Sequence, residues 1–234
     1  LCAAYRAYGA DGLLSWQPFH RTRRLYESLS LFFSMITLAG IGVFTPLGER
    51  LSCAGAFGPS LICTREAYEA AGGHRAVRGE VMEDLALGRR VRMAGHPVRC
   101  LPGSGLLSYR MYPDGVGQLV EGWTKNFCTG AAWSHPLVLM MCVLWVTGGI
   151  VAAARLLRVF AGAPDPGRIA LAVAAYLGYV LLVGWNARKA GRWHPGIILL
   201  YPVPLAFFVL VFGWSWIRTR ILHRVSWRGR PIDL

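Results

Sequence analysis

Apolar residues are gathered into three long runs in the second part of the chain, and none of these runs contains a charged residue. The runs cover residues 136–154, 169–187 and 195–217. A helix of about 20 residues crosses the ~30 Å hydrocarbon layer of a bilayer, whereas helices of soluble proteins average about 11–12 residues. The pattern therefore predicts about three hydrophobic helices in a membrane domain over residues 135–217, rather than the core of a large soluble protein.

Basic residues flank every run, and tryptophans stand near the run ends, where an interfacial aromatic belt would place them. The flanking residues are Arg155, Arg158, Arg168, Arg188, Lys189, Arg192 and Arg218, together with Trp133, Trp185, Trp193, Trp214 and Trp216.

The basic C-terminal tail, residues 218–234, conflicts with a simple three-helix topology. Three crossings would place the first part of the chain and the tail on opposite sides of the membrane. The tail carries the densest basic cluster of the chain, which the positive-inside rule would keep in the cytosol. Either one run is re-entrant or broken, with the third and its Pro202 and Pro204 as the first suspect, or the rule fails here.

The first 134 residues show short segments separated by glycine and proline, and strands alternate with helices. This alternation predicts an α/β layer structure. Strands are predicted over residues 12–18, 57–63, 96–101 and 106–111, and helices over residues 22–44, 65–71, 83–94 and 116–129.

The apolar end of the first of these helices starts at Leu31 and is about 14 residues long, too short to span a bilayer. It is either a core helix or a helix that lies at the membrane surface.

Composition supports a membrane protein. The net charge is +13, and 54% of the residues are hydrophobic. A disordered basic tail would be poor in apolar residues, and a soluble nucleic-acid binder would rarely be this apolar, so no nucleic-acid partner is expected. Residues 1–134 carry only +4 and residues 135–234 carry +9, which indicates Arg-rich loops that meet anionic headgroups.

Six cysteines are scattered without a CxxC pair, and the histidines lack zinc-ligand spacing, so a structural metal site is not expected. Scattered thiols suit a reducing compartment. The first part of the chain should therefore face the cytosol, with the membrane part in the cell membrane.

Two adjacent carboxylates, Glu83 and Asp84, stand at the start of a predicted helix, after a glycine-containing loop. The exposed N–H groups and the macrodipole of a helix N-terminus favour an ionised carboxylate. Such a carboxylate can accept a proton from an approaching hydroxyl group. On spacing alone, the alternative is that both acids are ordinary first-turn residues.

The context of this pair resembles a known enzyme family. The run from Cys53 to Cys63 is followed by Gly72-Gly73-His74, by Glu83-Asp84, by Gly95-His96-Pro97 and by Gly122-Trp123-Thr124-Lys125-Asn126, and the chain closes with the basic segment 225–230. Together these motifs are similar to the acceptor half of membrane-bound family 2 glycosyltransferases. Among these they look most like the lipid-directed branch that includes carotenoid and ceramide glycosyltransferases.

The resemblance implies a GT-A fold of which residues 1–134 hold only the acceptor half. It also implies an inverting transfer of a sugar from a nucleotide-sugar donor to a lipid acceptor. The family's general base corresponds to Asp84, and Glu83 would hold the loop or touch the acceptor. Two alternatives remain: a polyprenyl-phosphate glycosyltransferase, and a non-catalytic membrane subunit that keeps a degenerate transferase domain.

The family's Gln-x-x-Arg-Trp signature is only partly present. Between Gln118 and Trp123 there is one residue more than in the family, and Gly122 stands where the arginine would be. Trp123 is a candidate wall of the acceptor site, because a flat indole stacks on a sugar or lipid edge; anchoring a core helix is the alternative. Further acceptor-site candidates are Trp16, Gln17 and His20, and candidates for binding the pyrophosphate are Lys125, Arg78 and Arg110.

The family binds its donor and a divalent metal, Mg or Mn, through an Asp-x-Asp motif in its first half, and no Asp-x-Asp occurs in this chain. The sequence begins with Leu1, inside globular-looking sequence. These two observations lead to the expectation of a truncated enzyme that holds the base and the membrane anchor and is inactive without its donor site.

Overall fold

The computed structural model has a mixed α/β part followed by a helical part with three long apolar helices, as the sequence predicts. The structure describes residues 2–9, 11–40, 55–80, 82–162, 165–222, 224–227 and 230–233. Among these, it describes only the backbone of residues 126–133, 160, 220, 224–227 and 230–233.

The first sheet is built around β1 (Leu13–Gln17). This strand pairs antiparallel with β3 (Leu61–Cys63) and parallel with β4 (Val98–Pro102). Its first four residues are buried, so both faces of the strand are covered. Pro18 follows directly, and the predicted strand over residues 12–18 is confirmed.

The second sheet joins the two parts of the chain. Its central strand β2 (Phe19–Arg21) pairs in parallel with β5 (Ser108–Tyr109) and with β6 (Gly191–Arg192). Strand β6 belongs to the predicted membrane domain, so the two predicted domains share a sheet. The predicted strand over residues 106–111 is shorter than expected, because Tyr112 adopts a left-handed backbone conformation with φ 55° and turns the chain.

The helices of the first part are α1 (Cys2–Ala7), α3 (Arg65–Ala70) and α4 (Glu83–Met93). Helix α3 begins where predicted, because the Thr64 hydroxyl accepts the N–H of Ala67 at 3.2 Å. Gly72 and Gly73 have positive φ and end this segment. The predictions for α3 and α4 are confirmed to within a residue or two.

The helical part starts with α5 (Val116–Trp133), which leads into α6 (Pro136–Phe160). Helix α7 (Pro166–Ala190) returns, and the short α8 (Pro195–Leu199) precedes α9 (Pro202–Arg220). Three segments, Pro136–Val159, Pro166–Ala190 and Pro202–Thr219, are long and apolar enough to cross a membrane.

The third apolar run is broken, as its prolines suggested. Pro202 and Pro204 have no N–H to donate to the carbonyls four residues earlier, so one helix cannot run through residues 195–217. The turn between α8 and α9 lies against the middle of the two long helices. The Tyr201 hydroxyl donates to Gly149 O at 3.0 Å, and the Tyr176 hydroxyl donates to Leu199 O at 2.6 Å.

The segment predicted as one helix over residues 22–44 consists of a 3-10 helix, Leu25–Ser30, and α2 (Leu31–Gly40). Residues 41–44 lie outside the described residues, as do Cys53 and Ala54 of the Cys53–Cys63 motif. Helix α2 packs against α5, α6, α7 and α9, and most of its side chains are buried. Of the two alternatives, it is therefore a core helix.

The tail forms a hairpin of β7 (Arg224–Trp227) and β8 (Arg230–Asp233). Strand β7 lies against α5 and α9.

Candidate active site

A cavity of about 460 Å³ lies where the sheets meet the membrane helices. Asp84, Gln17 and Tyr109 stand on its wall, and most of the other lining side chains are apolar. We call it the interface cavity. Its remaining lining residues are Ile36, Thr37, Gly40, Ala56, Phe57, Gly58, Pro59, Met82, Leu85, Met111, Trp123, Ser134, Val138, Leu139, Cys142, Val143, Val146, Thr147, Ile150, Phe208, Val209 and Phe212.

Asp84 is held in the first turn of α4 by two backbone N–H groups. Gly58 N donates to Oδ2 at 2.8 Å, and Leu85 N donates to Oδ1 at 2.9 Å. Glu83 beside it is exposed to solvent. Of the two predicted acids, the structure thus places Asp84 in the cavity and Glu83 outside its wall.

Burial raises the pKa of the Asp84 carboxyl above its ordinary value, and the charge of Glu83 raises it further. The hydrogen bonds from Gly58 and Leu85 act in the opposite direction but do not cancel the effect of burial. A carboxylate with a raised pKa holds a proton more strongly, which suits a general base.

The loop that carries Gly58 is packed tightly on α4. A Cβ added to Gly88 would lie 2.8 Å from the carbonyl carbon of Gly55, and one added to Gly55 would lie 2.5 Å from the Cα of Leu85. Only glycine permits this approach of two backbones. Close packing therefore places the Gly58 N–H over the first turn of α4.

The polar edge of the cavity includes Gln17, at the end of β1, and Tyr109 in β5. The Gln17 amide donates to the Tyr109 hydroxyl at 2.8 Å. Burial raises the pKa of Tyr109 well above its ordinary value, so the phenol stays protonated and its O–H remains a donor. The sequence predicted Gln17 as an acceptor-site residue, and its side chain does reach the cavity.

Trp123 is at once a wall of the cavity and a core anchor. Its ring stacks on Phe33 with centroids 4.7 Å apart, and its Nε1 donates to the Ser30 hydroxyl at 3.0 Å. Trp123 therefore anchors the core, and its contact with an acceptor stays a prediction.

The structure shows why glycine rather than arginine stands at position 122 of the Gln118 to Trp123 segment. A Cβ at Gly122 would lie 2.2 Å from the ring of Tyr112. This ring occupies the space that a side chain at position 122 would need, so an arginine cannot be accommodated in this arrangement.

Trp16 and His20 are buried and do not line the interface cavity. The His20 ring packs edge-on against Trp193, with centroids 4.9 Å apart, and its Nδ1 lies 3.1 Å from the Ser34 hydroxyl. Burial lowers the pKa of His20 to about 4, against an opposing effect of Glu27, so the ring is neutral at physiological pH. An acceptor role for these two residues stays a prediction.

The three candidate phosphate-binding cations stand outside the cavity wall. Arg110 makes an ion pair with the buried Glu27, to which its Nε donates at 3.0 Å. Arg78 is exposed and follows the 3-10 helix His74–Val77, and Lys125 is half-buried on α5. Binding of pyrophosphate by any of them stays a prediction.

A divalent metal does not fit the residues that the structure describes. Within these residues no group of three or more His, Cys, Asp or Glu side chains is arranged to hold an ion. The oxygens of Asp84 already accept backbone N–H groups. A divalent metal therefore stays an expectation that the family resemblance carries.

One side of the cavity is a groove along one face of α6. Leu139, Val143, Val146 and Ile150 follow one another at spacings of three or four residues, which places them on the same helix face. Val143 and Val209 of α9 line the cavity and are 56% and 41% exposed. The groove thus opens between α6 and α9 toward the surroundings of the membrane helices.

Sequence reasoning missed the contributions of Tyr109 and of α9. Tyr109 stands in a short strand whose place is set by the turn at Tyr112, and Phe208 and Phe212 reach the cavity only because α9 folds back from its turn. For the return of α9, the signal in the sequence is the break at Pro202.

The chain is similar to curated glycosyltransferases. It is 34% identical over 230 residues to the 4,4'-diaponeurosporenoate glycosyltransferase of Staphylococcus aureus strain USA300, and 33% identical over 231 residues to that of strain MRSA252. Each match covers 98% of this chain and 61% of the relative's length. No family model and no solved structure matches the chain. The predicted resemblance to carotenoid glycosyltransferases is confirmed.

Proposed function

We propose that the chain is the acceptor-binding and catalytic-base part of a membrane-associated inverting glycosyltransferase. Its acceptor is a long apolar molecule, of the carotenoid class, with a hydroxyl or carboxyl group at one end. The observation that carries the proposal is the interface cavity, which is apolar along the membrane helices and has the carboxylate of Asp84 at its other end. Its volume of about 460 Å³ suits a small-molecule site.

The groove on α6 gives such an acceptor a path from the bilayer. From Val138 to Ile150 it follows the helix for about 18 Å, so an extended apolar chain can lie along it without entering water. The polar end of the acceptor then reaches Gln17, Tyr109 and Asp84. The indole of Trp123 forms the wall beside this end.

The reaction is a single displacement at the anomeric carbon of the sugar. With a hydroxyl acceptor, Asp84 accepts the proton of the O–H while the acceptor oxygen forms its bond to that carbon; a carboxyl acceptor attacks as its carboxylate and gives up no proton in this step. The bond between the sugar and the nucleoside diphosphate breaks, and the diphosphate leaves with the electron pair. Asp84 then returns its proton to water. The described residues assign no binding role for the donor, which the proposal places in the GT-A part of the family fold.

The proposal places the protein in the cell membrane with its sheets in the cytosol, where nucleotide sugars are made. The three long apolar helices support membrane association. Arg188 and Lys189 end α7, and Arg192 lies in β6, which pairs with β2. Their positive charge supports a cytosolic side for the sheets.

Asp84→Asn in the full-length protein tests the proposal. With an apolar acceptor that ends in a hydroxyl group, sugar transfer should fall by about 10²–10⁴-fold, the contribution of a general base. Glu66→Gln is the matched control, because Glu66 is an exposed first-turn acid of another helix, and it should leave the rate unchanged.

The same variant separates the alternatives. A polyprenyl phosphate is already an anionic nucleophile and needs no base, so Asp84→Asn should leave its glycosylation almost unchanged. Transfer by the unsubstituted protein to the phosphate but not to the hydroxyl would support that activity instead. A full-length protein that transfers sugar to neither acceptor, while it binds both, would support a non-catalytic subunit.

A further inference from the structure

The proposed base is held in place by a hydrogen-bond chain that starts at a serine outside the cavity wall. Ser15, in the middle of β1, is fully buried. Its Oγ accepts the N–H of Phe57 at 2.7 Å and donates to Phe57 O at 3.1 Å. One hydroxyl thus satisfies both backbone groups of a residue 42 positions away in the chain.

Phe57 is followed directly by Gly58, whose N–H donates to Asp84 Oδ2. Fixing both backbone groups of Phe57 fixes the peptide plane that leads to this N–H. The backbone adds one further tie, since Trp16 N donates to Ser60 O at 3.3 Å. The loop is therefore attached to β1 on both sides of Gly58.

We propose that Ser15 is a positioning residue for the reaction: it holds the Phe57–Gly58 peptide so that the Gly58 N–H orients the carboxylate of Asp84 toward the acceptor. This inference rests on the proposed function, because it gives Asp84 the role of base. It adds a residue that neither touches the cavity nor belongs to a motif of the family resemblance.

The physical consequence is a specific change in pH dependence. The Gly58 N–H lowers the pKa of Asp84 against the effect of burial. When the loop loosens, this hydrogen bond weakens and the pKa of Asp84 rises further. A base must be ionised to act, so the acid limb of the rate profile should move to higher pH.

Few ionisable groups other than Asp84 could cause the acid limb of the rate profile. Among the described residues that line the cavity, the other ionisable side chains are Tyr109 of β5 and Cys142 of α6, a phenol and a thiol that ionise on the alkaline side. Glu83, next to Asp84 on the same helix, is exposed. A shift of the acid limb therefore reports on Asp84.

The test is the pH profile of sugar transfer by Ser15→Ala in the full-length protein. The turnover rate should fall about tenfold or more, because misplacement of about 1 Å costs up to 10²-fold, while the acceptor KM stays unchanged and the acid limb moves to higher pH. Ser15→Cys, which keeps a weaker hydrogen-bonding group of similar size, should have a turnover rate and an acid limb between those of Ser15→Ala and the unsubstituted protein. If Ser15→Ala does not fold, Ser15→Cys alone decides.

Ser215→Ala is the matched control. Ser215 is also a fully buried serine whose hydroxyl donates to a backbone carbonyl, that of Thr124, at 2.6 Å. It should leave the acid limb in place. Unchanged kinetics in the Ser15 variants, or an equal rate loss at every pH, would overturn the positioning role. If Asp84→Asn itself has no effect, the proposed function fails before this inference is tested.

A second observation concerns the path of the third apolar run. Strand β6, just before α8, pairs with β2 in the sheet. The turn after α8 contacts Gly149, which lies about 20 Å along α6 from its first residue, Pro136. Helix α9 then returns, since Ser215 bonds to Thr124 of α5.

We infer that α8 and α9 form a re-entrant helical hairpin, and that α6 and α7 alone cross the membrane. The tail then lies on the same side as the sheets. This arrangement resolves the conflict in the charge pattern, because the basic residues divide into a large group on the sheet side and a small group at the far ends of α6 and α7. The first group is Arg188, Lys189, Arg192, Arg218, Arg220, Arg224, Arg228 and Arg230, and the second is Arg155, Arg158 and Arg168.

Epitope tags in the full-length protein test this topology. The tags follow Gly105, an exposed loop residue of the sheet part, Gly162 between α6 and α7, and Leu234. In intact cells, only the tag after Gly162 should bind antibody, and permeabilisation should expose the other two. Tags after Gly105 and Leu234 on opposite sides of the membrane would overturn the re-entrant hairpin.

Discussion

Two carboxylates withdrawn from water, Glu27 and Asp84, have opposite environments. Glu27 is fully buried and paired with Arg110, and it also accepts the N–H of Arg23 at 2.7 Å. Burial alone would raise its pKa, but the hydrogen bonds from Arg110 and from the backbone lower it below the ordinary value. Asp84 is half-buried at an apolar cavity, and its pKa is raised.

The difference separates a structural charge from a reactive one. The partner of Glu27 compensates for the loss of water, so this carboxylate stays ionised and holds two segments together. Asp84 has two N–H donors but no basic side chain among the described residues that line its cavity. A carboxylate that is not neutralised by a cation remains available to take a proton.

The largest expected effect is on catalysis at Asp84. Asp84→Asn should lower sugar transfer by about 10²–10⁴-fold without lowering the unfolding temperature. The raised pKa means that the folded protein holds the ionised form of Asp84 at a cost, which the neutral amide removes. This gain offsets the loss of one of the two backbone hydrogen bonds, since the amide NH2 cannot accept an N–H. Thermal unfolding beside the rate measurement checks this. A lower unfolding temperature would show that Asp84 is structural like Glu27.

Arg110→Ala should have the opposite effect. It leaves Glu27 buried without its cation, so the free energy of unfolding should fall. Neither residue lines the cavity, so we expect an unchanged rate per folded molecule, and this result would also remove Arg110 from the candidates for binding the pyrophosphate. Denaturant unfolding measures the stability, and the transfer rate divided by the folded fraction gives the rate per folded molecule. The same loss of rate as in Asp84→Asn would contradict the comparison.

A smaller effect is expected at Gly58. A Cβ at this position would lie 3.0 Å from Asp84 Oδ2, so Gly58→Ala should displace the carboxylate and reduce turnover about tenfold. Gly79→Ala is the control, since a Cβ there meets nothing within 4 Å. Steady-state kinetics of the two variants should differ; equal rates would mean that the position of Asp84 is not critical.

The two carboxylates should also respond differently to pH. The lowered pKa of Glu27 gives stability that is present above its unfolded pKa and is lost as pH falls through its folded pKa. For Asp84 the sign reverses: its contribution is present below the unfolded pKa and is lost as pH rises through the raised folded pKa. The difference in unfolding free energy between each variant, Glu27→Gln and Asp84→Asn, and the unsubstituted protein, measured across the acid range, checks this. If the two differences changed with pH in the same direction, the comparison would be contradicted.

The sequence predicted most local elements and the carboxylate pair at the start of α4, because their signals are local. Thr64 and the glycines after α3 mark its ends, and Glu83 with Asp84 marks the start of α4. The cavity could not be predicted in full, since it is assembled from segments far apart in the chain. The Gln17–Tyr109 hydrogen bond and the Tyr112 ring at Gly122 both depend on such long-range packing.

The third apolar run shows the same limit. Its length and composition match a membrane span, and only Pro202 and Pro204 indicate a break. Whether the chain turns back there depends on the bonds of Tyr201 and Tyr176 with neighbouring helices, and no local pattern encodes these.

Photo-cross-linking tests the central claim, acceptor binding in the interface cavity, most directly. A benzophenone side chain at Val143 would stand in the groove, whereas one at Leu144, which is 63% exposed, lies next to it on α6 but outside the cavity wall. With a labelled apolar acceptor in membranes of the full-length protein, position 143 should form an adduct that excess unlabelled acceptor suppresses, and position 144 should not. Equal labelling at both positions, or labelling that the competitor does not reduce, would contradict the account.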